Sequence, residues 1–231
     1  MSARLVVVTG GGGGIGRALA ERFRSLGDQV LAPGRADCDV TSEESVTAYF
    51  ERAGAVDVLV NNAGMADSAP LHRTTLASWR AHLDVNATGA FLCTRAVVAG
   101  MRERGRGAVV TVASVAGRAG APYTAAYTAA KHAAVGLMRA TAAELAGSGA
   151  TANAVCPAYV DTPMTDRTVA NFTARTRRDE AAARAVLDAG TPLGRLLDPH
   201  EVAAAVAWLA SPEAVAINGQ TLVIDGGGVQ A

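Results

Sequence analysis

The chain has 231 residues, half of them hydrophobic, and its 21 basic residues balance 21 acidic ones to a formal net charge of zero. That length suits one α/β domain spanning residues 1–231 around one large core. The balanced charge supplies no summed field for nucleic acid, an anionic membrane or an acidic partner, so a small-molecule ligand is the default expectation.

The first apolar run, residues 5–8, is too short for the core of a signal peptide, and nothing approaches the ~18 residues of a membrane span. A cytoplasmic protein is expected. Cys38, Cys93 and Cys156 have neither metal-ligand spacing nor an obvious disulfide framework, so no metal site is expected.

Short β-branched runs at 5–9, 30–32, 56–60, 108–113, 151–155 and 221–224 alternate with Ala-rich helical stretches. The alternation predicts an α/β fold with a mostly parallel, doubly wound sheet and helices on both faces. After the first run comes Thr9-Gly10-Gly11-Gly12-Gly13-Gly14-Ile15-Gly16, then a helical stretch over 17–26. A strand feeding a glycine turn that opens a helix is what a dinucleotide site requires, because the helix start offers unpaired amides and a positive dipole to pyrophosphate. Gly10, Gly12, Gly13, Gly14, Ile15 and Gly16 are the candidate cofactor contacts; a glycine run on its own is also compatible with a flexible turn.

After the second strand the pattern falters. A parallel crossover needs about a dozen residues, yet only Ala36 to Asp39 separate Arg35 from Val40. The third strand is therefore vestigial or the segment is an extended connection, and its helix is absent. The strand order expected is near 2-1-4-5-6-7.

Further along, Ser114 follows the 108–113 strand, and Tyr127-Thr-Ala-Ala-Lys131 lies inside a helical stretch expected over 125–145. The i, i+4 spacing stacks phenol and ammonium on one helix face. A neighbouring cation favours phenolate and lowers a tyrosine pKa from its usual value of about 10, which makes a usable general acid/base. A surface pair is the alternative reading of Tyr-x-x-x-Lys. Against it, Lys131 is the sole lysine of the chain, every other basic residue being arginine; a site that keeps a compact point charge resists the planar guanidinium. Ser114 lacks the Gly-x-Ser-x-Gly elbow of a serine nucleophile and reads instead as a hydrogen-bond donor to a substrate oxygen.

The last irregularity is an excursion over 161–190, expected to hold two short helices, the second capped by Asp179 and stopped by Gly190. Excursions of this length in a compact domain are usually lids or binding loops.

These features stand with Asn61-Asn-Ala-Gly64 after the 56–60 strand, Asp84-Val-Asn86 on a following helix, and Pro157 after the 151–155 strand. Asp161-Thr-Pro-Met164 and a terminal Gly219-Gln-Thr-Leu-Val-Ile-Asp-Gly-Gly227 complete the set. In that order and spacing the chain resembles the short-chain dehydrogenase/reductase family over essentially its whole length. Two departures are Ala158, where the family usually has glycine, and the short segment after Arg35.

The resemblance implies a Rossmann-like fold and a nicotinamide-dependent oxidoreductase that interconverts a ketone and a secondary alcohol. It implies that Tyr127 transfers the proton, Ser114 holds the reacting oxygen, Lys131 bonds the nicotinamide ribose and depresses the tyrosine pKa, and Asn86 anchors a water chain. It further places Asp39 and Val40 at the adenine, Asn62, Ala63, Gly64 and Pro157 along the cofactor, and Val160 and Thr162 at the nicotinamide amide. Asn86 as a helix-bend residue and Thr162 as a cap remain open alternatives.

Met65, Val115 and Tyr159 are expected beside the reacting carbon, with Met164, Val169 and Phe172 forming an apolar lid. The resemblance extends to members acting on 3-oxoacyl thioesters; a cyclic or polyketide-like ketone is the alternative, and a catalytically silent nucleotide-binding sensor or scaffold a third reading. Gly34 stands where NAD-selective enzymes of this fold carry an acid and Arg35 follows it, favouring NADP(H) over NAD(H), with Asp37 as the residue that could reverse the preference. A homotetramer or homodimer is expected from the family and from Ala-rich helices with small residues on several faces.

Overall fold

The computed structural model describes residues 3–176 and 179–229, without the side chains of residues 172 and 174–176. In chain order, β1 (Leu5–Val8) leads into α1 (Gly14–Ser25) and β2 (Gln29–Leu31), and α2 (Glu43–Ala53) precedes β3 (Val58–Asn61). Helix α3 (Leu76–Leu83) passes through a π turn, Asp84–Thr88, into α4 (Gly89–Arg104), followed by β4 (Gly107–Val112), α5 (Ala125–Leu145) and β5 (Ala150–Pro157). Two helices of the excursion, α6 (Pro163–Thr176) and α7 (Glu180–Ala189), come next, then α8 (Pro199–Leu209) and β6 (Thr221–Ile224).

The strands form one sheet in the order β2-β1-β3-β4-β5-β6, every neighbouring pair parallel. This is the expected order with its third strand missing. Residues 32–42 cross from β2 to α2 with no helix, and Asp37 turns back so that its carboxylate accepts from the Gly34 amide at 3.0 Å.

The period of two along each strand sends alternate residues to opposite layers. Val6, Val8, Val58, Val60, Val110 and Val112 pack under α1 and α8, against Leu19, Phe23, Val202 and Val206. Val7, Leu59 and Val109 point the other way, onto Phe50 of α2, Leu92 and Met101 of α4 and Met138 and Leu145 of α5. A sheet covered on both faces explains why its strands read as continuous apolar runs. It also leaves the carboxyl ends of the strands, where the glycine loop and Ser114 lie, as the open rim.

The excursion forms its two helices as expected. Asp179 caps α7, its side chain accepting from the Ala182 amide, and the helix ends at Gly190. Val169, Ala183 and Leu187 make a small separate core between them. Arg184 holds the pair together by ion pairs to Asp161, Asp166 and Glu180. The Phe172 side chain, expected in the lid, lies outside the described residues.

Candidate active site

The glycine loop is shaped by contacts that exclude a Cβ. A methyl on Gly16 would lie 2.2 Å from the Gly10 carbonyl oxygen, and one on Gly10 would lie 2.9 Å from the Ala63 Cα. Gly10 and Gly14 also have φ of +65° and +52°, the left-handed region that favours glycine. Around Gly12 and Gly13 there is open space, so these two are not sterically required.

Thr9 locks the loop to the neighbouring strand end. Its hydroxyl accepts from the Asn62 and Ala63 amides at 3.0 Å, and Asn62 Nδ2 donates to the carbonyls of Thr9 and Gly10 at 2.9 and 3.2 Å. The α1 N-terminus thus opens onto a fixed, Cβ-free hollow that a dinucleotide pyrophosphate fits.

That hollow is one end of a cleft of about 880 Å³ crossing the rim of the sheet. Of the expected cofactor contacts, Gly10, Gly13, Gly14, Ile15, Gly16, Arg35, Asp39, Val40, Asn62, Ala63, Gly64, Tyr127, Lys131, Pro157, Val160 and Thr162 line it, whereas Gly12 does not. Val40 seats on Gly89, where a Cβ would come within 2.8 Å of its side chain. Asp39 accepts from the Thr41 amide and hydroxyl and from Arg35 Nε, at 3.0, 2.7 and 3.2 Å. These contacts hold the Asp39 carboxyl below its usual range, Thr41 contributing most.

At the centre, Ser114 leaves the end of β4 in extended conformation, and its hydroxyl oxygen accepts from the Ala116 amide at 3.1 Å. The same hydroxyl acts on the Tyr127 phenol, favouring its ionised form. One turn along α5, buried Lys131 sets its Nζ 5.7 Å from the Tyr127 ring centre and donates to the Val112 carbonyl at 2.9 Å.

Here the expected electrostatics need correcting. Burial pushes the Tyr127 phenol above its ordinary value, and the opposing influence is the Ser114 hydrogen bond, not Lys131. The ammonium reaches back to the β4 carbonyl instead of forward to the phenol oxygen, and burial lowers its own pKa to about 8. Burial therefore favours the protonated phenol.

Asn86 sits in the π turn, an irregularity frequent at functional sites. Its Oδ1 accepts from the Met65 amide at 3.2 Å, and its Nδ2 donates to the carbonyls of Met65 and His82 at 3.0 Å. It is both a helix irregularity and a clamp on the loop after β3. Gly64 next to it has room for no side chain, since a Cβ would come within 2.9 Å of Asn86 Oδ1. Thr162 likewise has two contacts: its hydroxyl oxygen faces the Thr165 amide at 3.5 Å as a helix cap, and its methyl lies against Gly14.

Met65, Ser114, Val115, Tyr159 and Met164, the residues expected at the substrate, also line the cleft. Val169, expected in the lid, instead packs in the core between α6 and α7. Sequence reasoning missed Asp67, Thr124, Arg167 and Asn171, which also line the cleft. Helical spacing from Met164 could have found two of them, because Arg167 is one turn on and Asn171 two. Asp67 and Thr124 sit on loops that no periodicity marks.

Among the described residues no helix is long and apolar enough to cross a membrane, and no group of three or more His, Cys, Asp or Glu residues could hold a metal ion. Residues 14–228 match the family model described as enoyl-(acyl carrier protein) reductase. The chain is 39% identical to cis-4-hydroxycyclohexanecarboxylate dehydrogenase of Sinomonas cyclohexanicum over 97% of this chain and 96% of that one. It is 37% identical to the monensin polyketide synthase putative ketoacyl reductase of Streptomyces virginiae, covering 98% and 97%. An actinorhodin polyketide ketoreductase solved with NADPH superposes with a TM-score of 0.90 at 33% identity, covering 98% of this chain and 97% of that one. The alignment to the Sinomonas enzyme spans 249 positions, more than the 231 residues here. With the glycine hollow, the rim serine and the Tyr-x-x-x-Lys helix converging in one cleft, and relatives that match along the whole length, the chain belongs to the short-chain dehydrogenase/reductase family of NAD(P)-dependent oxidoreductases.

Proposed function

We propose that the protein interconverts a ketone and a secondary alcohol on an acyl or ring framework, with NADP(H) preferred over NAD(H) and Tyr127 as the acid/base. The observation that carries this reading is the Ser114–Tyr127–Lys131 group, which lies in the same cleft as the Cβ-free hollow at the α1 N-terminus. The nicotinamide supplies or takes up hydride at the reacting carbon when bound.

This chain's residues do the rest. Ser114 donates to the substrate oxygen and stabilises charge developing there. Tyr127, its phenol raised by burial, passes its proton to that oxygen in reduction and recovers it in oxidation. Lys131 turns from the Val112 carbonyl toward the nicotinamide ribose, and Asn86 anchors the water that resupplies the proton. Val160 and Thr162 meet the nicotinamide amide, and Asp39 and Val40 the adenine.

The NADP(H) preference rests on Arg35. Asp37, the acid that would serve ribose hydroxyls, is turned to the Gly34 amide and does not line the cleft, whereas Arg35 does.

The ketoacyl reductase relative and the polyketide ketoreductase structure support a 3-oxoacyl thioester or polyketide-like ketone. The Sinomonas relative supports a second reading, a ring alcohol. Oxidation of NADPH and NADH with an acetoacetyl thioester, 4-oxocyclohexanecarboxylate and cyclohexanone separates the two. A crotonyl thioester in the same panel tests the enoyl reduction named by the family model. Turnover of the crotonyl thioester alone refutes ketone chemistry, and turnover of nothing points to a silent sensor or scaffold.

The protein works in the cytoplasm as a homotetramer or homodimer. Exposed Phe91 on α4 and Trp208 on α8 are apolar surface that a second copy would cover. Sedimentation that finds only monomer refutes the assembly.

A further inference from the structure

Beside the reacting group lies a histidine that this chemistry leaves without a role. His82, in the last turn of α3, is 1% exposed and does not line the cleft. Its two ring nitrogens are tied to different elements. Nδ1 lies 2.8 Å from the Ser78 carbonyl, which can only accept, so Nδ1 carries the proton. Nε2 then accepts from the Asp67 amide at 3.1 Å. The imidazole is thereby fixed as one neutral tautomer.

What it touches gives it a function. Met65, Asp67 and Ser68 form the wall of the cleft on the substrate side. That wall is pinned at Met65 by Asn86 and at Asp67 by His82, while Asn86 in turn donates to the His82 carbonyl at 3.0 Å. Asp67 also faces Asn171 of α6 at 3.5 Å, so the position fixed by His82 carries through to the excursion. From its other side the His82 ring meets Tyr127 in a T-shaped contact, with centres 6.4 Å apart and planes at 77°. One side chain thus sets the substrate wall and braces the ring of the proposed acid.

We propose that His82 is a positioning residue for this reaction: its Nε2 lone pair holds the Met65–Asp67 wall, and its ring braces the Tyr127 ring so that the phenol stands at the reacting oxygen. The proposal rests on the ketone–alcohol reading given above.

Three variants separate the two contacts. His82→Gln offers an amide oxygen to Asp67 but no ring, His82→Phe keeps a ring but no acceptor, and His82→Leu keeps neither. An unpaired Asp67 amide is expected to raise the ketone KM about tenfold in the Phe and Leu variants, with near wild-type KM in Gln. Loss of the ring is expected to lower kcat about fivefold in Gln and Leu, and Phe should retain it. NADPH affinity and the melting temperature, measured on the same samples, should stay near wild type in Gln and Phe.

If Gln and Phe both behave as Leu, or if in all three KM rises while kcat, NADPH affinity and melting temperature fall together, His82 is only a packing residue and the proposal is overturned. All three variants at wild-type rates overturn it equally. A wild-type protein inactive on every ketone overturns the functional reading itself, and the proposal with it.

Discussion

Replacing Lys131 by methionine should abolish turnover and yet make the coenzyme-free protein more stable. The ammonium is buried, and burial lowers its pKa from the ordinary 10.5 to about 8. At about 1.4 kcal/mol for each tenfold, holding that charge inside costs about 3 kcal/mol at pH 7. Methionine removes the cost but leaves the Val112 carbonyl without its donor, a loss of about 1 kcal/mol. The net expectation is about 2 kcal/mol in favour of the variant, or roughly 4–8 °C in Tm for a chain of this size.

The sign reverses with alkali. A folded pKa below the unfolded one means that the unfolded chain binds the extra proton between about pH 8 and 10.5, so wild-type stability rises with pH across that window. The advantage of Lys131→Met should be full below pH 8 and fade as pH climbs through it. Urea melts of both proteins at pH 7 and pH 9.5, without coenzyme, decide the matter. A variant less stable at pH 7, or one whose advantage does not change with pH, refutes the reasoning.

Tyr127→Phe should cost about 10²–10⁴-fold in kcat with NADPH affinity unchanged, since only the phenol oxygen is lost; activity within tenfold of wild type removes Tyr127 from the acid/base role. Gly16→Ala should abolish coenzyme binding and lower Tm, because its Cβ would strike the Gly10 carbonyl, whereas Gly13→Arg, with open space around it, should fold normally and raise NADPH preference. Titration of each variant with NADPH, followed by fluorescence, checks both. Arg35→Ala should lower the ratio of NADPH to NADH efficiency by about five- to tenfold, a modest figure because the Arg35 side chain is 82% exposed; an unchanged ratio makes it a solvated surface residue.

Much of this was legible because the site is carried by residues whose local physics is unusual. A five-glycine run at a strand end, one lysine among twenty arginines and an Asp179 to Gly190 cap-and-stop pair each announce themselves without neighbours. The missing crossover was legible from arithmetic, since Ala36 to Asp39 cannot hold a helix and return to the sheet. Where Lys131 points was not legible. The i, i+4 spacing puts it on the Tyr127 face of α5, but which oxygen its four-carbon stem reaches depends on β4, which arrives beside it only in the fold. His82 was invisible for the same reason: a histidine in a helix says nothing until Asp67 supplies an amide and Tyr127 a ring. Gly12 and Gly13 read like their neighbours in sequence, and only the distances around a would-be Cβ separate the required glycines from the optional ones.

The shortened connection raises a further physical question, since deleting a strand leaves β2 as an edge with unpaired amides and carbonyls, a template for pairing with other chains. The sequence around it limits that risk. The strand is three residues long, and the next residue but one is Pro33, which has no amide to offer a partner. The Pro33 carbonyl is taken by the Gly11 amide at 3.1 Å, so the chain leaves the sheet toward the glycine loop instead of running on along the edge. Before the strand, the Arg4–Asp28 pair at 2.7 Å places charge beside it. These features turn the residues after β2 toward the coenzyme end of the cleft, where Arg35 gives only its Nε to Asp39. Among the described residues its two terminal nitrogens have no partner, and they are the donors that a 2′-phosphate would engage. The cofactor preference proposed above thus rests on one arginine on a short loop, and it should be open to reversal by a single substitution.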